Sequence, residues 1–285
     1  MASLKEIKLR INSVQSTQKI TSAMKMVSSA KLHHFQAEAE HTLLYSEKLT
    51  GILNGLLADS DDLNTPFAEQ RNVSSVALVV FSSSNGLCGS YNANVWKELL
   101  NMIRRYEAEK ISVRLVPVGK KVADELQHAG YEIDDRFVHA AEKPSYAQAV
   151  EMAEELISLF ISHTVDKVEF LYHHFKNTVT QTLTTKVFLP VVVENNTNGA
   201  VVEDYLFEPS IECLQQILFP KLLKLTVYTV MLDTITAEHA ARMMAMQVAN
   251  DNANDLIQQL TLQYNKNRQQ VITNELLDIM GGSMK

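Results

Sequence analysis

Between residues 82 and 92 the chain reads SSSNGLCGSYN, a small and polar run that follows a strand-like segment and precedes a helical one. Open α/β sheets bind ligands at such junctions, where a helix N-terminus turns unpaired N–H groups toward an anion. Gly86 and Gly89 would let backbone amides approach a phosphate, Ser90 could cap the next helix, and Cys88 at a helix N-terminus could have thiolate character. Against this, a dinucleotide fingerprint needs three glycines and a phosphate loop needs a Gly-Lys-Ser/Thr ending, and neither is present. The other reading is a tight turn that requires small residues. Metal chemistry has less support. His33 with His34, and His173 with His174, are adjacent in sequence, so each pair diverges by about 100° on a helix or points to opposite faces of a strand. There is no His-Glu-x-x-His motif, and Cys88 and Cys213 lack the spacing of a zinc or redox pair. Free thiols in a reducing compartment are expected, with no cofactor and no metal.

The elements that position this turn alternate in type. Val76 to Phe81, Ser112 to Val118, Lys167 to His173 and Gln181 to Val193 read as strands. Asn94 to Glu109, Lys120 to Ala129 and Ser145 to Ser162 read as helices. Such alternation points to a parallel or mostly parallel sheet with covering helices. The stretch from Ala58 to Asn72, with Asp59, Ser60, Asp61, Asp62, Asn64 and Pro66, is loop chemistry, as is Glu194 to Ala200.

On either side of this middle region lie long stretches without a helix breaker. No glycine or proline precedes Gly51, and none falls between Pro220 and Gly281. A helix through the second stretch would run roughly 90 Å at about 1.5 Å per residue, so it needs a partner, and the other terminal helix is the obvious one. Leu4, Ile7, Ile11 and Val14 form one stripe, whose register continues onto Gln18, Thr21, Lys25 and Ser28. The seam turns polar there, and apolar character resumes on a neighbouring stripe at Ile20, Met24 and Val27. This portion is expected either to rotate against its mate or to contact something else. In the last segment Ala241, Met244, Val248, Leu256, Leu260, Ile272, Leu276 and Ile279 make a looser stripe, interspersed with Asn250, Asn252 and Asn254. Met24, Met26, Met243, Met244 and Met246 concentrate on the two helices, and flexible thioethers suit contacts that must repack.

With 285 residues and 46% apolar content the chain can bury a substantial core. The net charge of −7 argues against a general nucleic-acid binder. It is unevenly placed: Lys5, Lys8, Arg10, Lys19, Lys25 and Lys31 face the single acid Glu6 within residues 1–31. A basic helix face is either simply solvated or drawn to an acidic partner or a membrane surface. The helical pattern runs past Leu49, longer than a targeting peptide, so it is read as mature structure. The most apolar stretch, Ile217 to Leu232, holds Pro220, Lys221 and Lys224 and is no membrane span.

Four blocks, TQKITSAMKMVSSAKL at 17–32, SSSNGLCGSYN at 82–92, EHAARMMAMQVANDNANDLI at 238–257 and YNKNRQQVITNELLDIMGGS at 264–283, resemble the gamma subunit of the rotary F-type ATP synthase. They occur in the expected order over essentially the whole chain. The resemblance implies an antiparallel coiled coil of the terminal helices, residues 1–57 and 209–285, with a Rossmann-like α/β domain at 73–195 inserted between them. It also implies a central stalk whose coiled coil enters a ring of alpha and beta subunits, while its foot and α/β domain sit with epsilon on the membrane rotor ring of c subunits. Such a chain has no nucleic-acid partner and no small-molecule substrate of its own. Its expected place is the cytoplasmic face of a bacterial inner membrane, the lack of a presequence favouring that over an organelle.

Residue by residue, the resemblance assigns Met24 and Lys25 to the acidic loop of beta, and Arg242, Gln269, Thr273 and Glu275 to coupling contacts with beta. Tyr205, Phe207 and Glu208 match the foot. The middle motif departs from the family, whose Ser-Asp-Arg or Ser-Asp-Lys is here Ser83, Ser84 and Asn85, so that charged pair is missing; at the far end the usual Gly-Ala is Gly282 and Ser283. Two rivals to the rotor are an α/β enzyme using Cys88 and the Gly86 to Gly89 turn on a phosphorylated ligand, and a static coiled-coil scaffold.

Overall fold

The computed structural model describes residues 3–58, 66–191 and 211–282. In chain order the elements are α1 (Leu4–Ala58), β1 (Ser75–Phe81), α2 (Tyr91–Ala108), β2 (Ser112–Val118), α3 (Lys120–His128), a 3₁₀ segment (Asp135–Ala141), α4 (Tyr146–Ile161), β3 (Lys167–Phe175), β4 (Gln181–Leu189) and α5 (Ile211–Gly282). They divide into two compact units, Ala30–Ala241 and the pair of segments Met1–Ser29 and Arg242–Lys285.

In the first unit the sheet order is β2-β1-β3-β4, with β1 parallel to β2 and β3, and β4 antiparallel to β3. β1 lies between two neighbours and is buried on both faces, so its sequence SVALVVF is a near-continuous apolar run. Its side chains alternate between two cores. Ala77, Val79 and Phe81 meet Phe170, helix α4 through Met152, Leu156 and Phe160, and helix α5 through Phe219, Leu223 and Val227. Val76, Leu78 and Val80 meet Val95, Leu99 and Ile103 of α2 and Val122 and Leu126 of α3. Each fully buried Val, Leu, Ile, Met or Phe side chain contributes about 2 kcal/mol over exposure. Asp166 ties the sheet's amino end together: its carboxylate accepts from Ser74 N at 2.8 Å, Ser74 Oγ at 2.7 Å and Ser75 N at 2.9 Å. These donors hold its pKa below the ordinary carboxylate value. Pro117 sits in β2, at the sheet edge, where a missing N–H costs no ladder bond.

The boundaries differ from expectation where end chemistry decides them. α2 starts at Tyr91, about one turn before Asn94. β4 stops at Leu189, because Pro190 supplies no donor to extend the ladder. α4 is bounded by Ser145, whose Oγ accepts from Gln148 N. α1 continues through Gly51, around which a Cβ would meet nothing within 4 Å. α5 begins well before Pro220 and carries it inside the helix, leaving the Gln216 carbonyl without its helical donor.

Candidate functional site: the faces of the terminal helices

In the unit formed by Met1–Ser29 and Arg242–Lys285, Leu4, Ile7, Ile11, Val14, Gln18, Thr21, Lys25 and Ser28 of α1 form a continuous buried and half-buried stripe, flanked by half-buried Ser22, Met24 and Ser29. Spacing alternates three and four without drift, which is the seam of one coiled-coil helix. Of the two outcomes expected where the stripe turns polar, rotation against the mate or contact with something else, α1 does not show rotation: Thr21 and Ser28 are 9% and 4% exposed, while Ile20 and Val27 are 60% and 58% exposed. A hydroxyl can sit in such a seam because its own helix satisfies it; Thr21 Oγ1 donates to Gln18 O at 3.0 Å. Small residues inside and large apolar ones outside are the reverse of what self-association of two helices requires.

On α5 the covered positions are Arg242, Met246, Ala253 and Leu260, with Ala249, Leu256, Tyr264 and Asn267 half-buried between and beyond them. The expected stripe holds at Leu260, is half-buried at Ala241, Met244 and Leu256, and departs at Val248, Ile272, Leu276 and Ile279, which are exposed. From Arg268 to Met280 every residue is exposed, Val271, Ile272, Leu276, Leu277, Ile279 and Met280 among them. Sequence reading placed three of these in a seam; the signal it passed over is that apolar residues here also occupy adjacent positions, Val271 with Ile272 and Leu276 with Leu277, more than one stripe can hold.

The residues assigned by resemblance to beta fall into three settings. Gln269, Thr273 and Glu275 lie on the exposed run, where Thr273 Oγ1 donates to Gln269 O at 2.9 Å. Met24 and Lys25 are half-buried. Arg242 is 7% exposed and engaged in interactions within the chain. Tyr205, Phe207 and Glu208 lie outside the described residues. Lys5, Lys8, Arg10 and Lys19 are exposed along α1, so this surface is both basic and apolar.

The turn after β1 is built differently from a ligand loop. Ser83 N and Asn92 Oδ1 are 3.1 Å apart, Ser83 Oγ donates to Asn85 O at 2.7 Å, and Asn92 Nδ2 approaches Cys88 Sγ at 3.2 Å. The side chains of Ser83, Asn92 and Cys88 are thus used on one another and on the turn backbone. Ser90 stands at the α2 N-cap, but its side chain makes no capping bond; the expected cap is absent. Gly89 takes φ 62°, as a turn glycine does. Cys88 is 3% exposed and enclosed by Tyr91 and Ala237. Within the same unit, α5 closes the carboxyl end of the sheet: Met231, Thr234, Ile235 and Glu238 line a small cavity with Phe81 and Val118. The crevice that holds ligands in open α/β folds is filled by the chain's own helix.

His173 and His174 diverge as adjacent strand residues do. His173 is buried against Tyr91, whereas His174 Nδ1 meets Asp233 Oδ2 at 2.7 Å. Among the described residues no three His, Cys, Asp or Glu side chains could jointly hold a metal ion, and no described helix is long and apolar enough to cross a membrane.

A family model described as ATP synthase matches residues 3–284. The chain is 62% identical over 283 residues to an ATP synthase gamma chain of Parabacteroides distasonis, covering 99% of both. Among solved structures it is similar to a chain of the Euglena gracilis mitochondrial ATP synthase OSCP/F1/c-ring assembly, with TM-score 0.67 and 20% identity over 99% of this chain and 93% of that one. It is also similar to a chain of the rotor of the same organism's enzyme, with TM-score 0.63 and 20% identity over 94% and 98%.

Proposed function

The chain belongs to the gamma-chain family of the ATP synthase, and from that footing we propose how its surfaces serve the rotor. A gamma chain is the central-stalk rotor subunit of the complex, non-catalytic itself, and links rotation of the membrane ring to ATP synthesis and hydrolysis on beta. The observation that carries the reading is the outward apolar face of the terminal helices, with Ile20 and Val27 exposed on the basic helix α1 and Leu276 and Ile279 exposed on α5. A lone helix pair gains nothing from exposing these groups; a shaft enclosed by other subunits does.

As partners we assign the alpha and beta subunits around the shaft, and epsilon and the c-subunit ring at the foot. Residues 1–57 and 209–285 are the shaft and 73–195 the α/β body. Gln269, Thr273 and Glu275 offer beta a polar stripe on the exposed run of α5. Met24 and Lys25 face beta's acidic loop from their half-buried positions, and Arg242 is assigned to a coupling contact with beta. Tyr205, Phe207 and Glu208 are assigned to the foot. Because the shaft presents different side chains in different directions, its angle biases each beta site toward a different nucleotide affinity. That linkage is reciprocal, so turnover drives rotation and rotation releases product. The chain acts within a membrane-associated complex, and the cytoplasmic face of a bacterial inner membrane is the site proposed for it.

Native mass spectrometry of the complex recovered with a tagged copy from gently solubilised membranes tests the assignment. One copy with three each of two larger nucleotide-carrying subunits is expected; a homo-oligomer without them would support the static scaffold instead.

A further inference from the structure

Between Leu32 and Leu49 helix α1 buries no side chain. That gap is about 25 Å of helix at 1.5 Å per residue. Across it Tyr228 OH of α5 donates to Glu38 Oε1 at 2.5 Å. The Tyr228 ring is gripped on its other side by Tyr146, the first residue of α4, edge to face at 5.6 Å. Two further contacts bound the stretch. Phe35 stacks on His239 at 5.7 Å, and Lys221 Nζ lies 5.6 Å from the centre of the Tyr45 ring.

We propose that Tyr228 and Glu38 form a clamp that carries twist from the sheet body, through α4 and α5, into the part of α1 that buries no side chain. The inference rests on the rotor reading above. Stacked rings resist separation but slide in plane, whereas a hydrogen bond to a carboxylate is directional and fixes the azimuth of one helix against the other at mid-stretch, between the Phe35 contact and the hydrogen-bonded Lys221–Tyr45 pair. Burial and the Glu38 carboxylate both push the Tyr228 phenol above its ordinary pKa, so it remains a donor across the physiological range. Glu38 and Tyr228 are positioning residues; neither touches a nucleotide in this reading.

The test uses the assembled complex with Tyr228→Phe, Glu38→Ala and Glu38→Gln chains. Hydrogen exchange and the angular width of a probe on the stalk are read together. Loss of a hydrogen bond to a charged acceptor corresponds to roughly tenfold faster local opening. The expected result is such a gain confined to amides 33–48 for Tyr228→Phe and Glu38→Ala, with a broadened stalk angle, while Glu38→Gln keeps an acceptor and restores most of both. Wild-type exchange and angular width in Tyr228→Phe, or a loss of protection spread over β1 and β3, would overturn the clamp. A wild-type stalk that does not turn at all would remove the rotor reading and the torque role with it, whatever the variants do.

Discussion

The imidazole of His173 lies on the ring of Tyr91, centroids 4.1 Å apart and planes 24° from parallel. His173 is 3% exposed, and its Nδ1 has no hydrogen-bond partner. Burial disfavours the imidazolium and lowers the pKa from 6.5 to about 4. The unfolded chain therefore binds a proton that the folded chain refuses between these values. Stability from this group is complete above pH 6.5 and falls as pH drops toward 4, by about 3 kcal/mol in all. His173→Phe is expected to remove that part of the acid slope in urea unfolding curves taken from pH 7 to 4. An identical slope in the variant would contradict the assignment.

Gly119 takes φ 113°, and a Cβ there would lie 2.2 Å from the carbonyl oxygen of Ser82. The backbone of Ser82 is itself fixed by its N–H to Val118 O at 2.8 Å, so it cannot retreat cheaply. Gly119→Ala should cost about 3 kcal/mol or more from strain and clash together, read as a lower unfolding midpoint. A change within about 0.5 kcal/mol, the range of ordinary surface substitutions, would show that this approach is not tight.

Much of the α/β body was legible in the sequence because strands buried on both faces and amphipathic helices leave strong patterns: β1 and β2 reproduce the expected runs from Val76 and Ser112 almost residue for residue. The terminal helices were legible as helices, but their faces were not. A seam built from Thr21 and Ser28, with Ile20 and Val27 outside, inverts the rule that apolar residues mark the inside, and it does so where other subunits are proposed to cover the outside. The turn at Cys88 was ambiguous for a different reason. Glycines and serines serve a ligand loop and a self-bonded turn alike, and what separates them is Asn92 reaching back to Ser83, a contact nine residues apart.

Leu276 and Ile279 are 57% and 68% exposed, so the isolated chain has little use for them. The pair Leu276→Ser and Ile279→Ser should leave its unfolding within about 0.5 kcal/mol of wild type yet loosen its hold on the alpha and beta ring, read as faster dissociation in salt or dilute detergent. A large loss of stability with unchanged assembly would place these side chains in the chain's own packing.

Met24 is half-buried one residue from Lys25. Met24→Lys adds a second cation where the partner loop is proposed to be acidic, strengthening a contact that must break on every turn. The ratio of protons pumped to ATP hydrolysed should fall while subunit stoichiometry stays normal. A wild-type ratio would remove Met24 from the coupling surface.

The most direct measurement is rotation itself: a probe fixed to this chain at an exposed position, with the alpha and beta ring held on a surface and ATP supplied. The account predicts unidirectional turning with three equivalent dwell angles, one per beta site, at a rate that tracks hydrolysis. A stationary probe on a complex that hydrolyses ATP at full rate would contradict it.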